Sequence, residues 1–228
     1  MPRPDPSAGA FPGGPRTSTV PYRAEPSPIR TRRRVAVVAT GVVGAALLGL
    51  AIAQPQESSA FALLALLLAA TWTVGGLLSG PLHLGRVAGR RQVVLPMLSG
   101  AVAFGVFAIG ALIVRQIPAL HSAVTDVLAR ADVGPRWRIV LVTLVSGVAE
   151  EIYFRGALYS ALGPRRPVVW STVAYVLVTA ASGNVMLIFA AAVMGTLFAL
   201  ERRTTGGILA PMITHVTWSA LMLFLLPR

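Results

Sequence analysis

Three ionisable residues, Glu150, Glu151 and Arg155, stand together in an otherwise apolar stretch. At the centre of a bilayer each would cost about 2.5–3.5 kcal/mol on insertion scales, so such groups mark a functional site by default. On a helix, Glu151 and Arg155 are four apart and share a face, while Glu150 is turned from Glu151 by about 100°. Arg155 is therefore expected to neutralise Glu151 in a buried pair that fixes packing. Glu150 is left without a partner and is the carboxylate available for chemistry. A second apolar stretch carries His215, with Ser219 one turn further on the same face, and a third carries Thr179. At 1.5 Å of rise per residue, Glu150 lies roughly 18 Å from the end of its run near Leu162, and His215 roughly 12 Å from the start of its own near Gly207. Thr179 falls at a similar depth. A carboxylate, an imidazole and a hydroxyl in one layer of an apolar bundle can move protons. Proton-coupled transport would use such groups too, but no repeated halves or matched interrupted helices are evident.

The elements that must position these residues are membrane helices. Of 228 residues 55% are hydrophobic and 12% charged, whereas a soluble domain carries about 25% charged residues. Apolar runs recur at 35–53, 59–79, 93–114, 139–161, 168–181, 185–200 and 208–226. The expected fold is an all-α, polytopic transmembrane bundle of about seven spans, with the short fifth and sixth runs buried by their neighbours. Residues 1–34 hold eight of the 17 prolines and seven arginines, and are expected to form a disordered basic tail. Residues 35–137 would supply the N-terminal membrane helices, and 138–228 the core that holds the ionisable cluster.

All 20 basic residues are arginine and the net charge is +12. In a soluble chain this would suggest nucleic acid; here the arginines sit in the tail and between apolar runs, so they are read as orientation signals and contacts to anionic lipid, with no nucleic-acid partner. Their alternation places the N-terminus in the cytoplasm of a multi-pass cell-membrane protein. The loop carrying Arg115, Arg130, Arg136 and Arg138 breaks the alternation. It is expected to hold an interfacial helix, since Ile117, Leu120, Val124, Val127 and Leu128 recur at helical spacing. Ala51 and Ala53 give an A-x-A pattern that a cleaved signal would show, against which the proline-rich leader argues. The absence of cysteine excludes disulfides, thiolate zinc sites and cysteine nucleophiles.

The stretch Glu150, Glu151, Arg155, with Phe154 and Gly156, resembles the Glu-Glu-x-x-x-Arg motif of the CPBP intramembrane proteases, also called Abi or type II CAAX prenyl endopeptidase-like proteins. Residues 203–215 resemble the approach to that family's last motif, and the likeness runs from Arg138 to the C-terminus. It implies an intramembrane endopeptidase acting on membrane-embedded or membrane-proximal polypeptides. Glu150 would be the base that activates water, His215 the oxyanion donor and Ser219 a weaker second donor. Two positions depart from the pattern: Tyr175 to Thr179 aligns with Phe-x-x-x-His, placing Thr179 where histidine is expected, and Ser219 stands where Asn or Asp is usual. Thr179 can hydrogen-bond a water but cannot act as a base near neutral pH. The alternative is therefore a catalytically impaired scaffold, immunity protein or carrier. Zinc is a possible cofactor for a family often labelled metalloprotease. Three histidines, with His83 and His121 in expected loops, make a ligand-poor zinc site, and a metal-free, glutamate-activated water fits the residues better. A rhomboid-type serine site at Ser182 and Gly183 lacks the full Gly-x-Ser-Gly pattern.

Overall fold

The computed structural model describes residues 27–55, 58–85, 89–130 and 135–226. Those residues form helices α1 (Ser27–Ala53), α2 (Ser59–Ser79), α3 (Arg91–Val114), α4 (Pro118–Arg130) and α5 (Arg136–Glu151). A π-helical segment, Ile152–Leu158, follows directly and leads into α6 (Tyr159–Leu162); α7 (Pro167–Ala180), α8 (Val185–Thr205) and α9 (Leu209–Leu225) complete the bundle. Each of the seven apolar runs is a helix. Four are long and apolar enough to cross a membrane: residues 28–53, α2, α3 and α8. The continuous helical stretch 136–162 is divided among α5, the π segment and α6, and carries Arg136, Arg138, Glu150, Glu151 and Arg155. Helices α7 and α9 are short, α7 reaching only about 21 Å against a hydrocarbon core of about 30 Å. The amphipathic stretch between α3 and α5 forms α4, as its spacing predicts.

The packing inverts that of a soluble protein. Val38, Val42, Leu63, Leu77, Val102, Val106 and Ile109 face outward on α1, α2 and α3, while Arg33, Glu151, Arg155, Ser171 and Thr214 are buried. Lipid solvates the apolar exterior, so helix association relies on close packing and interior polar bonds. Helix α1 packs on α2, α3 on α9 and α7 on α8, with α5 between α2 and α9. Trp72 stacks on Tyr153 at 4.4 Å and meets Phe154 at 5.3 Å. The Tyr153 hydroxyl donates to the Val37 carbonyl at 2.7 Å, tying α1 to the segment beside the ionisable cluster.

The boundary of the expected tail moves. Helix α1 begins at Ser27, so residues 27–34 are helical, and residues 1–26 lie outside the described residues. Arg33 is fully buried; its guanidinium donates to Ser79 Oγ at 3.2 Å and to the Pro81 carbonyl at 3.0 Å. The physical reason is the C-terminus of α2, where carbonyls have no intrahelical donor and the helix dipole favours a cation. Beyond it, residues 81–85 run to the start of α9, where the Ile208 and Leu209 amides donate to the His83 and Leu84 carbonyls at 3.0 and 3.2 Å. A Cβ on Gly207 would lie 1.9 Å from the Gly85 nitrogen, so only glycine allows these backbones to meet. Replacing Arg33 by Met should destabilise the bundle by about 1–3 kcal/mol, the cost of stranding buried acceptors. Thermal unfolding in detergent measures it, and an unchanged midpoint would contradict the role of Arg33.

Candidate active site

The cluster is built from α5, the π segment, α7, α8 and α9. Glu151 is fully buried, and its Oε1 accepts from Arg155 Nη1 at 3.1 Å and faces His215 Nδ1 at 2.9 Å. The pairing read from the four-residue spacing is present, with a third member that the spacing could not show. Arg155 Nη2 donates to the Gly195 carbonyl on α8 at 3.1 Å. The guanidinium also lies 4.7 Å from the Tyr175 ring and 5.0 Å from the Phe198 ring. Cation–π contacts of this kind strengthen when desolvated. Glu151 Oε2 and Arg155 Nε have no hydrogen-bond partner among the described residues.

Glu150 points elsewhere, as its rotation predicts, but it is not left alone. The Tyr175 hydroxyl donates to Glu150 Oε2 at 2.5 Å. Tyr175 occupies the aromatic position of the second motif, so the signal was a hydroxyl where phenylalanine is usual. The residue four positions on, Thr179, is half-buried and makes no side-chain hydrogen bond to Glu150, Glu151 or His215 among the described residues. The structure thus brings Glu150, Glu151, Arg155 and His215 together, and leaves Thr179 unlinked to them.

His215 is buried and its ring stacks on Phe198 at 4.6 Å with 21° between planes. Gly147, one turn before Glu150 and Glu151, packs against the ring: a Cβ there would sit 3.3 Å from Cδ2, 3.4 Å from Nε2 and 3.5 Å from Cγ, so glycine lets α5 approach the imidazole closely. Ser219 is buried one turn along α9 and lines a cavity of about 800 Å³.

Sequence reasoning missed two supports. Arg202 Nε donates to the Arg155 carbonyl at 2.9 Å while its guanidinium lies 5.2 Å from the Tyr159 ring. It thereby ties the C-terminal end of α8 to the π segment; in sequence it looked like a loop arginine. Thr214 lies between Glu201 Oε1 at 2.7 Å and the Pro96 carbonyl at 3.0 Å, joining α9 to α8 and α3. Glu201 was masked by the adjacent arginines.

The donors do not compose a ready zinc site. His215 Nδ1 and Glu151 Oε1 already face each other, Arg155 shares that same oxygen, and no group of three or more His, Asp or Glu able to hold a metal is found among the described residues. His121 lies in α4 and His83 in the 81–85 segment.

Residues 132–221 match the family model described as Rce1-like, type II CAAX prenyl endopeptidase Rce1-like. No curated protein and no solved structure matches the chain. The matched stretch contains every residue of the cluster and agrees with the resemblance carried by the Glu-Glu-x-x-x-Arg motif.

Removing Arg155 would leave a carboxylate buried in an apolar interior. Arg155→Ala should cost about 3–5 kcal/mol, the usual result of breaking a buried pair from one side. Arg155→Lys should not restore stability, because an ammonium cannot serve Glu151 and the Gly195 carbonyl in the same planar fork. Detergent unfolding of both variants checks this; wild-type stability in either would show that the pair is dispensable.

Proposed function

We propose, from the match of residues 132–221 to the type II CAAX prenyl endopeptidase Rce1-like family model, that this chain is an intramembrane endopeptidase hydrolysing peptide bonds of membrane-associated substrates through a water activated by Glu150. The observation that carries the reading is the division of labour between adjacent carboxylates. Glu151 is balanced by Arg155 and faces His215, whereas Glu150 has a single hydroxyl donor on one oxygen. Its other oxygen is the group that can take a proton.

In this mechanism Tyr175 orients the Glu150 carboxylate. Glu150 accepts a proton from water as the water oxygen attacks the carbonyl carbon, and the same proton passes to the departing amine when the C–N bond breaks. The oxyanion is met by Nε2–H of His215. Glu151 acts on this donor by position, its Oε1 facing Nδ1 of the same ring at 2.9 Å. Ser219 is a second, weaker donor, and Thr179 binds a water rather than acting as a base. A low-dielectric site raises the worth of each of these dipoles. The substrate is a membrane-embedded or membrane-proximal polypeptide. In this reading the basic N-terminal segment contacts anionic lipid, and the arginine distribution supports a cytoplasmic N-terminus in a cell-membrane protein.

A binding protein that keeps the polar cluster is the second reading, favoured by Thr179 standing where the motif has histidine. Purified chain in liposomes, set against a library of membrane-proximal peptides, separates the two. Glu150→Gln should lower cleavage by about 10²–10⁴-fold with the fold intact. Full activity in that variant would remove Glu150 from the mechanism, and no cleavage by folded wild type would favour the binding protein. Cleavage is expected to resist a chelator. Tyr175→Phe, which keeps the ring over Arg155, should lower kcat about tenfold through loss of a hydrogen bond to a charged group. Thr179→His should raise the rate; an unchanged rate would show that the threonine does not limit hydrolysis.

A further inference from the structure

The Thr214 hydroxyl has two oxygen neighbours and one proton. Fully buried on α9, it lies 2.7 Å from Glu201 Oε1 on α8 and 3.0 Å from the Pro96 carbonyl oxygen on α3. A carbonyl oxygen only accepts, and so does an ionised carboxylate. With Glu201 ionised, one proton would face two acceptors, and one of the two contacts would set lone pairs against each other. A neutral Glu201 removes the conflict. Its O–H donates to Thr214 Oγ1, the Thr214 hydroxyl donates to the Pro96 carbonyl, and both contacts are hydrogen bonds.

The surroundings of the carboxyl agree with this count. Glu201 forms no ion pair among the described residues: Arg155 is committed to Glu151 and the Gly195 carbonyl, Arg202 gives its Nε to the Arg155 carbonyl and lies over Tyr159, and Arg203 is exposed. Glu201 Oε2 is shut off from solvent and has no hydrogen-bond partner among the described residues. That position costs far less for the carbonyl oxygen of a neutral acid than for an ionised carboxylate. The Ser99 hydroxyl on α3 also meets the carboxyl, and Glu151 and Arg155 act on it from further away; those two are already paired with each other. Nor can α3 carry the Pro96 carbonyl aside. A Cβ on Gly100, one turn beyond Pro96, would lie 2.8 Å from the Thr214 carbonyl oxygen, so α3 and α9 meet backbone to backbone at this level.

We propose that Glu201 holds a proton as a neutral carboxylic acid, and that the hydrogen-bond chain it starts, through Thr214 to Pro96, docks α9 between α8 and α3 and so positions His215. Thr214 immediately precedes His215, whose Nδ1 is 2.9 Å from Glu151 Oε1, and a shift of α9 along α3 carries the imidazole off that oxygen. Glu201 stands outside the Glu-Glu-x-x-x-Arg motif and touches no reacting atom in the mechanism above, so it is a positioning residue. Loss of the proton has a definite sign. An ionised Glu201 claims the Thr214 proton and leaves the Pro96 carbonyl against a lone pair, so the docking weakens as pH rises. The consequence for catalysis rests on the hydrolytic reading above; the proton on Glu201 does not.

Infrared spectra of the full-length chain in liposomes at neutral pH read the proton directly. The difference between wild type and Glu201→Gln should contain the carbonyl band of a protonated carboxylic acid, shifted in deuterium oxide; the glutamine amide donates to Thr214 in place of the acid. At neutral pH the folded chain holds this proton and the unfolded chain, with Glu201 in water, does not, so stability falls as pH rises. The wild-type unfolding midpoint in detergent should therefore drop with rising pH relative to that of Glu201→Gln. Glu201→Leu and Thr214→Val should each lower kcat for peptide cleavage by about tenfold to a hundredfold with KM little changed, the effect of a displaced catalytic group, and Glu201→Gln should recover most of that loss. A difference spectrum without the acid band, or midpoints that follow pH in parallel, would overturn the proton assignment. Glu201→Gln cleaving as slowly as Glu201→Leu would overturn the positioning role. A wild type that cleaves nothing, yet shows both the band and the pH slope, would overturn the hydrolytic reading alone and leave the proton on Glu201 standing.

Discussion

The carboxylate of Glu151 constrains more of the bundle than any other group. An ionised carboxylate in a fully apolar setting is unsustainable without a cation and hydrogen bonds. Arg155 supplies the cation from one turn away, but a guanidinium has five donors and brings its own demands. One is met by the Gly195 carbonyl on α8, and the faces of Tyr175 and Phe198 receive the rest of the charge. His215 then fixes α9 against the same oxygen. A single buried charge thus sets the mutual positions of α5, α7, α8 and α9, in a solvent where apolar helices have little other reason to choose one arrangement.

The π segment is the second constraint. Single π turns inside α-helices occur frequently at functional sites. Here one begins at the residue after Glu151 and contains Arg155. Its wider turn changes which residues stack below the two carboxylates, and the Arg155 carbonyl gains an outside donor in Arg202. The segment is held from several sides: Tyr153 reaches α1, Phe154 packs between Trp72 and Tyr175, and Arg202 approaches from α8. An irregular backbone is tolerated at membrane depth where protein surrounds it.

Much of this was legible in the sequence, for identifiable reasons. Apolar runs show helices because a bilayer forces long apolar stretches, so the boundaries of α2 are readable to the residue. The Glu151–Arg155 pair follows from helical spacing alone. What stayed hidden depends on tertiary direction. Nothing in an arginine run reveals that Arg33 turns inward to the end of α2 while its neighbours Arg32 and Arg34 stay exposed. The π segment has no periodicity signature over seven residues. Glu201, beside two arginines at a helix end, reads as interfacial until Thr214 is seen against it. Depth placed Thr179 in the same layer as Glu150, but depth along an axis carries no information about azimuth.

Azimuth is what separates the two adjacent glutamates. Neighbouring residues on a helix differ by about 100°, enough to send Glu151 toward α8 and α9 and Glu150 toward the hydroxyl of Tyr175 on α7. One carboxylate is matched by a cation that does not give up its proton; the other meets a neutral donor. Two identical side chains on adjacent residues thereby meet different partners, a guanidinium and an imidazole for Glu151 and a phenol for Glu150, and unlike surroundings are the general way in which a site can separate like groups.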